Sequence, residues 1–111
     1  MIKITFIIDS LLVAGAQVHL LRLASGLQSK NIDVELICLG NVDETLVASY
    51  GIKKIRSMSM PSIRKPLFWK GFFDLIRILK MTQPDIVHTY LNTANVFGVI
   101  ASKIAGIPRI I

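Results

Sequence analysis

Apolar residues along this chain fall into two alternating patterns: short continuous runs and longer stretches with helical spacing. The runs "IKITFII", "DVELICL" and "DIVHTY" have the length and β-branched content of strands buried on both faces, and "IKKIRS" indicates a more exposed strand. Apolar residues recur every three or four positions from Leu20 to Lys30 and from Leu67 to Met81. The pattern therefore predicts strands that alternate with helices.

The remaining segments continue this alternation. "DETLVASYG" (43–51) predicts a short helix, and "MSMPSIRKP" (58–66), with two prolines, predicts a loop. "NTANVFGVIASKIAG" (92–106) predicts a helix, and "IPRII" begins a fifth strand. The expected apolar face of that last helix is formed by Phe97, Ile100, Ala101 and Ile104.

This order of elements predicts βαβ units. The expected fold is α/β, a Rossmann-like open parallel sheet of order 3-2-1-4-5 with helices on both faces. The direction of that order reverses between strands 1 and 4, so the loops after these two strands border the ligand crevice. Those loops contain "IDSLLVAGAQ" and "HTYLNTAN".

Length and composition indicate the number of domains, the redox compartment of the protein and the charge of a binding partner. The 111 residues suit a single domain, 1–111. The sequence has one cysteine, Cys38, so an internal disulfide cannot form, which fits a reducing cytosol. The net charge is +6, and eight basic residues between Lys53 and Lys80 face one acid, Asp74. Such a local basic zone predicts an anionic partner.

The first crevice loop lacks the usual nucleotide signatures. Gly15 stands without the other glycines of G-x-G-x-x-G, and no P-loop is present, so neither a nicotinamide nor a flavin cofactor is expected. A signal-peptide interpretation of the first residues is disfavoured because Asp9 interrupts the apolar run. Gly15 either lets a phosphate approach the following amides at a helix N terminus or only makes the turn. The sequence leaves both open.

The second crevice loop offers polar side chains without a complete catalytic set. His88 and Tyr90 lie at the end of strand 4, and His88 is either a crevice residue or a buried, hydrogen-bonded histidine. Asn92 or Thr93 is a candidate N-cap of the next helix. Asp9 is the acid nearest the crevice. No metal site is expected, because His19 lies on the first helix and no other ligand has suitable spacing.

Together these motifs resemble a known family. "IDSLLVAGAQVHLLRLASGL", "GIKKI" and "PDIVHTYLNTANVFGVIASKIAGIPRII" resemble the N-terminal, acceptor-side domain of family 4 glycosyltransferases, retaining enzymes of the GT-B type. The resemblance implies transfer of a sugar from a nucleotide diphosphate-sugar to a glycan or lipid-linked acceptor, as in cell-surface polysaccharide synthesis. It also implies a C-terminal donor-binding domain that residues 1–111 do not contain, so this chain alone is expected to be inactive.

The resemblance assigns roles to individual residues. The family's Gly-Gly-Ala-Gln pattern maps, with one glycine replaced by alanine, onto the donor-diphosphate positions Ala14, Gly15, Ala16 and Gln17. His88 matches the first histidine of a His-x-His motif whose second position is Tyr90 here, and both are candidate catalytic residues. The candidate acceptor-binding residues are Asp9, Asn92 and Asn95.

The basic zone predicts contact with an anionic membrane surface. Aromatic and basic residues lie side by side in Arg64, Lys65, Trp69, Lys70 and Phe73. The alternative is a core helix with a solvated basic face. Nucleic acid is not an expected partner, because no motif for it accompanies the charge. The expected location is cytoplasmic, peripheral on the inner face of the membrane.

Two other functions stay open. One is a non-catalytic, membrane-recruiting subunit of a split glycosyltransferase, and the other is a small protein that binds a nucleotide by itself.

Overall fold

The computed structural model describes residues 2–10, 15–58, 60, 65–91 and 93–111. It shows one parallel sheet with the order β3-β2-β1-β4-β5. The strands are β1 (Lys3–Ile8), β2 (Asp33–Cys38), β3 (Ile55–Ser57), β4 (Ile86–Tyr90) and β5 (Arg109–Ile110). The predicted fold class and strand order are confirmed.

Four helices connect these strands. They are α1 (Gly15–Ser29), α2 (Glu44–Ser49), α3 (Pro66–Thr82) and α4 (Val99–Ala105), and a π-helical turn, Ala94–Gly98, runs directly into α4. We call this segment the π-turn. The predicted loop 58–66 falls largely outside the described residues.

The continuous apolar runs form the central strands, whose side chains pack into a hydrophobic core on each face of the sheet. In β1, Phe6 and Ile8 pack with α1 and α2, whereas Ile7 packs on the opposite face with α3 and α4. All three side chains are buried. Successive side chains of a strand point to opposite faces, so a central strand covered on both sides needs apolar residues at every position.

The helix predicted over 92–106 differs from expectation. Ala101 is buried as predicted and Phe97 is partly buried, but Ile100 and Ile104 are largely exposed; Ser102 and Ala105 are buried instead. The face that packs on the sheet is instead formed by small residues, namely Ala94, Gly98, Ala101, Ser102 and Ala105, which let the segment approach the strands closely. The prediction of the apolar face from regular periodicity was therefore wrong at Ile100 and Ile104.

Candidate functional site

The crevice lies where β1 and β4 end side by side. The two strands are paired in parallel with Ile8 opposite Tyr90, so the chain leaves both at the same edge of the sheet. The segments that follow them, which begin at Asp9 and Leu91, are therefore neighbours. This arrangement confirms the predicted position of the two loops at the reversal of strand order.

The Asp9 carboxylate joins these two segments directly. Its Oδ2 accepts a hydrogen bond from the Thr93 amide (3.1 Å), and its Oδ1 accepts one from the Ala94 amide (2.6 Å). The acid at the end of β1 therefore caps the helical segment that follows β4. Thr93, predicted as a possible N-cap, makes no side-chain capping bond. Asn92, the other candidate cap and a predicted acceptor ligand, lies outside the described residues.

The exit from β4 has two further features that sequence reasoning missed. Leu91 adopts a left-handed backbone conformation with φ 73°, which is unfavourable for a residue with a branched side chain. The Thr89 hydroxyl donates to Oδ1 of Asn95 (2.8 Å), and Asn95 itself is exposed. The predicted acceptor residue Asn95 is thus oriented by a buried threonine of the strand.

The N terminus of α1 is built differently. Gly15 is its first residue, and its backbone is not left-handed. Among the described residues, no atom lies within 4 Å of the position that a Cβ at Gly15 would occupy. Within the described residues, neither the backbone angle nor a neighbouring atom therefore requires glycine there. The first turn of α1 also contains no acid that would neutralise its positive end.

Of the other predicted diphosphate residues, the structure describes Gln17 and the backbone of Ala16. The Gln17 side chain is buried, and its Nε2 donates to the Ser10 hydroxyl at 3.4 Å. Gln17 therefore connects α1 to the segment after β1. Ala14 and the side chain of Ala16 lie outside the described part of the structure.

His88 and Tyr90 project from the same face of β4 and stack on each other. Their ring centroids lie 4.6 Å apart at 28°, and Phe6 lies 5.5 Å from His88 and 6.3 Å from Tyr90. Both side chains are half-buried. Among the described residues His88 is half-buried and makes ring contacts without a side-chain hydrogen bond, which differs from the alternative of a buried, hydrogen-bonded histidine.

Burial also shifts the ionisation of this pair. It lowers the pKa of His88, and the charge of His19 on α1 lowers it further. Burial raises the pKa of Tyr90. Both rings are therefore neutral near pH 7. Sequence reasoning set His19 aside because it lies on another element, but the fold brings it close enough to affect His88.

The predicted membrane residues surround the N-terminal half of α3. Lys65, Trp69, Lys70 and Phe73 are exposed, whereas Arg64 lies outside the described residues. The Trp69 ring contacts Phe97 of the π-turn at 5.9 Å. Beyond this contact an exposed apolar row continues along the π-turn and α4, formed by Val96, Ile100 and Ile104. None of the described helices is long and apolar enough to cross a bilayer.

Comparison with known proteins gives consistent matches. The sequence model of the family described as glycosyl transferase 4-like matches residues 10–111. A relative from Escherichia coli, UDP-Gal:alpha-D-GlcNAc-diphosphoundecaprenol alpha-1,3-galactosyltransferase, is 26% identical over 111 aligned positions, covering 86% of this chain and 28% of that protein. The crystal structure of MurG from Acinetobacter baumannii superposes with a TM-score of 0.74 and 18% identity, over 99% of this chain and 34% of that one. This chain thus spans about a third or less of each relative.

Proposed function

The chain belongs to the glycosyl transferase 4-like family, and on that premise we propose that it forms the acceptor-side domain of a retaining glycosyltransferase. The enzyme moves a sugar from a nucleotide diphosphate-sugar to a glycan or lipid-linked acceptor in cell-surface polysaccharide synthesis. The name of the Escherichia coli relative, with a UDP-linked donor and a diphosphoundecaprenol acceptor, supports this choice. The donor's nucleotide is bound by a second domain outside these residues.

The observation that carries the proposal is the α1 N terminus beside the crevice. The amides of Ala16, Gln17 and Val18 lie in the first turn behind Gly15, where no acid competes for them. A diphosphate oxygen bound there gains from the amides and from the positive end of the helix. The same contacts stabilise the diphosphate as it leaves the sugar, because negative charge develops on it in the transition state.

His88, Tyr90 and Asn95 contact the sugar and the acceptor on the opposite side of the crevice. A neutral imidazole and a neutral phenol both donate and accept hydrogen bonds, which suits them to sugar hydroxyls. The Oδ1 atom of Asn95 accepts a hydrogen bond from Thr89, so its side-chain NH₂ group is the donor that remains for a sugar hydroxyl. Much of the rate enhancement comes from holding donor and acceptor together between the two domains.

A titration of this chain with inorganic pyrophosphate tests the diphosphate site. In ¹⁵N NMR spectra we expect the amide signals of Ala16, Gln17 and Val18 to shift most. Gly15→Asp introduces a carboxylate at the helix N terminus and should abolish these shifts, since like charges repel there. Gly26→Asp is the control, because Gly26 lies in the last turn of α1, far from the amides of the first turn, and a Cβ there also meets no atom within 4 Å among described residues. Equal losses in both variants would contradict the proposal.

We further propose that the outer surface of α3 and α4 rests on an anionic bilayer. The surface consists of Trp69, Phe73, Val96, Ile100 and Ile104, between 44% and 64% exposed. Exposed bases surround it, namely Lys65, Lys70, Arg77, Lys80 and Lys103. Asp74, which pairs with Arg77 at 3.0 Å, is the one acid in the sequence of these helices. Apolar and aromatic side chains ringed by bases suit a negatively charged lipid surface.

Charge favours a bilayer over a second copy of this chain. A symmetric pairing through this surface would place the same bases opposite one another. An acceptor carried by a lipid would moreover be presented at a bilayer surface. The N termini of α3 and α4 lie at the edge of the sheet that contains the crevice, so this surface is next to the proposed acceptor site.

Co-sedimentation with vesicles tests the membrane surface. We expect binding to phosphatidylglycerol-containing vesicles and little binding to pure phosphatidylcholine. Lys65→Glu with Lys70→Glu should weaken binding by at least about tenfold, since each base near an anionic surface contributes about 1 kcal/mol. Ile100→Ser with Ile104→Ser should weaken it as well. Leu23→Ser, an exposed apolar position on α1 across the sheet, is the control. Binding that survives both double variants unchanged would exclude this surface.

The comparisons do not favour the non-catalytic alternative, since the Escherichia coli relative is a galactosyltransferase by name. A small protein that binds a nucleotide by itself would show micromolar affinity of this chain for a nucleoside diphosphate in calorimetry.

A further inference from the structure

Two helical segments begin at the crevice, and each presents amides at its N terminus. We propose that Asp9 is a positioning residue that closes the segment after β4 to anions and thereby directs the donor's diphosphate to α1. This inference rests on the proposed function, because it concerns which of the two N termini receives the diphosphate.

The closure follows from how the carboxylate is used. Both oxygens of Asp9 accept amide hydrogens, from Thr93 and from Ala94. Hydrogen bonds to an ionised carboxylate are short and strong, and a phosphate oxygen would need the same amides. The carboxylate also places a negative charge at the end of the helical segment where an anion would otherwise be attracted. A second anion is therefore excluded by occupancy and by repulsion.

The backbone of Asp9 is held by the neighbouring strand exit. The Leu39 amide donates to the Ile8 carbonyl at 2.9 Å. A Cβ at Gly40 would lie 2.8 Å from the Asp9 carbonyl oxygen, so the backbone after β2 packs directly against it. The ends of β2, β1 and β4 are thus linked through one residue, and the carboxylate reaches the segment that carries Asn95 from a fixed point.

The experiment is a titration of the 111-residue chain with inorganic pyrophosphate, followed by the amide signals of Thr93 and Ala94. In the wild type we expect no shift of these two signals. In Asp9→Ala we expect both to shift with added pyrophosphate, because their amides are released. Exchange of the Ala94 amide hydrogen should also accelerate by about tenfold or more, the effect of losing a charge-assisted hydrogen bond.

Asp9→Asn provides the second variant. It has nearly the same shape and retains one acceptor oxygen, so it preserves folding if Asp9→Ala does not, while removing the charge. Pyrophosphate-dependent shifts at Thr93 should then be present but smaller than in Asp9→Ala.

The results separate this inference from the proposed function. Shifts at Thr93 and Ala94 in the wild type, or none in a folded Asp9 variant, would overturn the role of Asp9. If pyrophosphate causes no shifts at Ala16, Gln17 and Val18 in the wild type, the proposed diphosphate site is wrong. The role of Asp9 is then decided by the Asp9 variants. A merely structural role would alter stability and exchange without moving the site at which pyrophosphate acts.

Discussion

The N terminus of α1 and the start of the π-turn occupy equivalent places after neighbouring strands, yet their electrostatics are opposite. The π-turn is capped by Asp9, whereas α1 begins at Gly15 without an acid in its first turn. Each helical segment has a positive end beside the crevice. One is neutralised inside the protein and serves to hold a side of the crevice in place. The other has no acid in its first turn, so under the proposed function its amides are available to the donor's diphosphate.

The two segments also differ in how closely their glycines are packed. A Cβ at Gly98, the last residue of the π-turn, would lie 3.1 Å from Cγ2 of Thr89 and 3.5 Å from two carbons of Ile7. Gly98 therefore allows the segment to approach the sheet closely. Gly15 meets no such restriction among the described residues. The same residue type serves packing in one segment and leaves open space in the other.

Substitution of these two glycines should give the largest difference in stability. Gly98→Val forces a β-branched side chain against Thr89 and Ile7, and we expect it to lower the free energy of unfolding by about 2 kcal/mol or more. Gly15→Ala should leave stability unchanged or raise it by up to about 1 kcal/mol, since alanine is the better helix former and finds room. Thermal unfolding followed by circular dichroism measures both. Equal melting temperatures for the two variants would mean that the close approach at Gly98 is relieved at little cost.

Titration of His88 should have a smaller effect on stability. It reports how strongly His19 on α1 influences His88 on β4. Its pKa is lowered from 6.5 by burial and then by His19, so the unfolded chain takes up a proton at higher pH than the folded chain does. The contribution of His88 to stability is therefore complete above pH 6.5 and declines as the pH falls below that value.

NMR of the imidazole carbon-bound protons measures this pKa. We expect a value below 6.5 in the wild type and a modest rise in His19→Gln, because the secondary cause is removed while burial stays. His88→Gln should remove the corresponding loss of stability at acid pH. A wild-type pKa at or above 6.5 would show that His88 is more solvated than its packing against Phe6 and Tyr90 indicates.

The sequence predicted the architecture well because strand burial leaves a direct record in composition. A strand covered on both faces needs uninterrupted apolar residues, as at Phe6, Ile7 and Ile8. Regular periodicity also located α3, whose buried residues recur at helical spacing: Phe68, Phe72, Leu75, Ile76 and Leu79. It failed at Ile100 and Ile104, because the face that packs on the sheet is formed by small residues such as Gly98, Ala101 and Ala105, which a search for large apolar side chains does not detect.

The sequence by itself determined the order of elements, the crevice at the reversal of the sheet and the resemblance to a glycosyltransferase family. These depend on local periodicity and on motifs that are contiguous in the chain. Only the tertiary structure decided that Asp9 caps a segment 84 residues away, that His19 acts on His88, and that Val96, Ile100 and Ile104 extend the exposed surface of α3. Such relations depend on distances between residues far apart in sequence, and only packing of the helices onto the sheet fixes those distances.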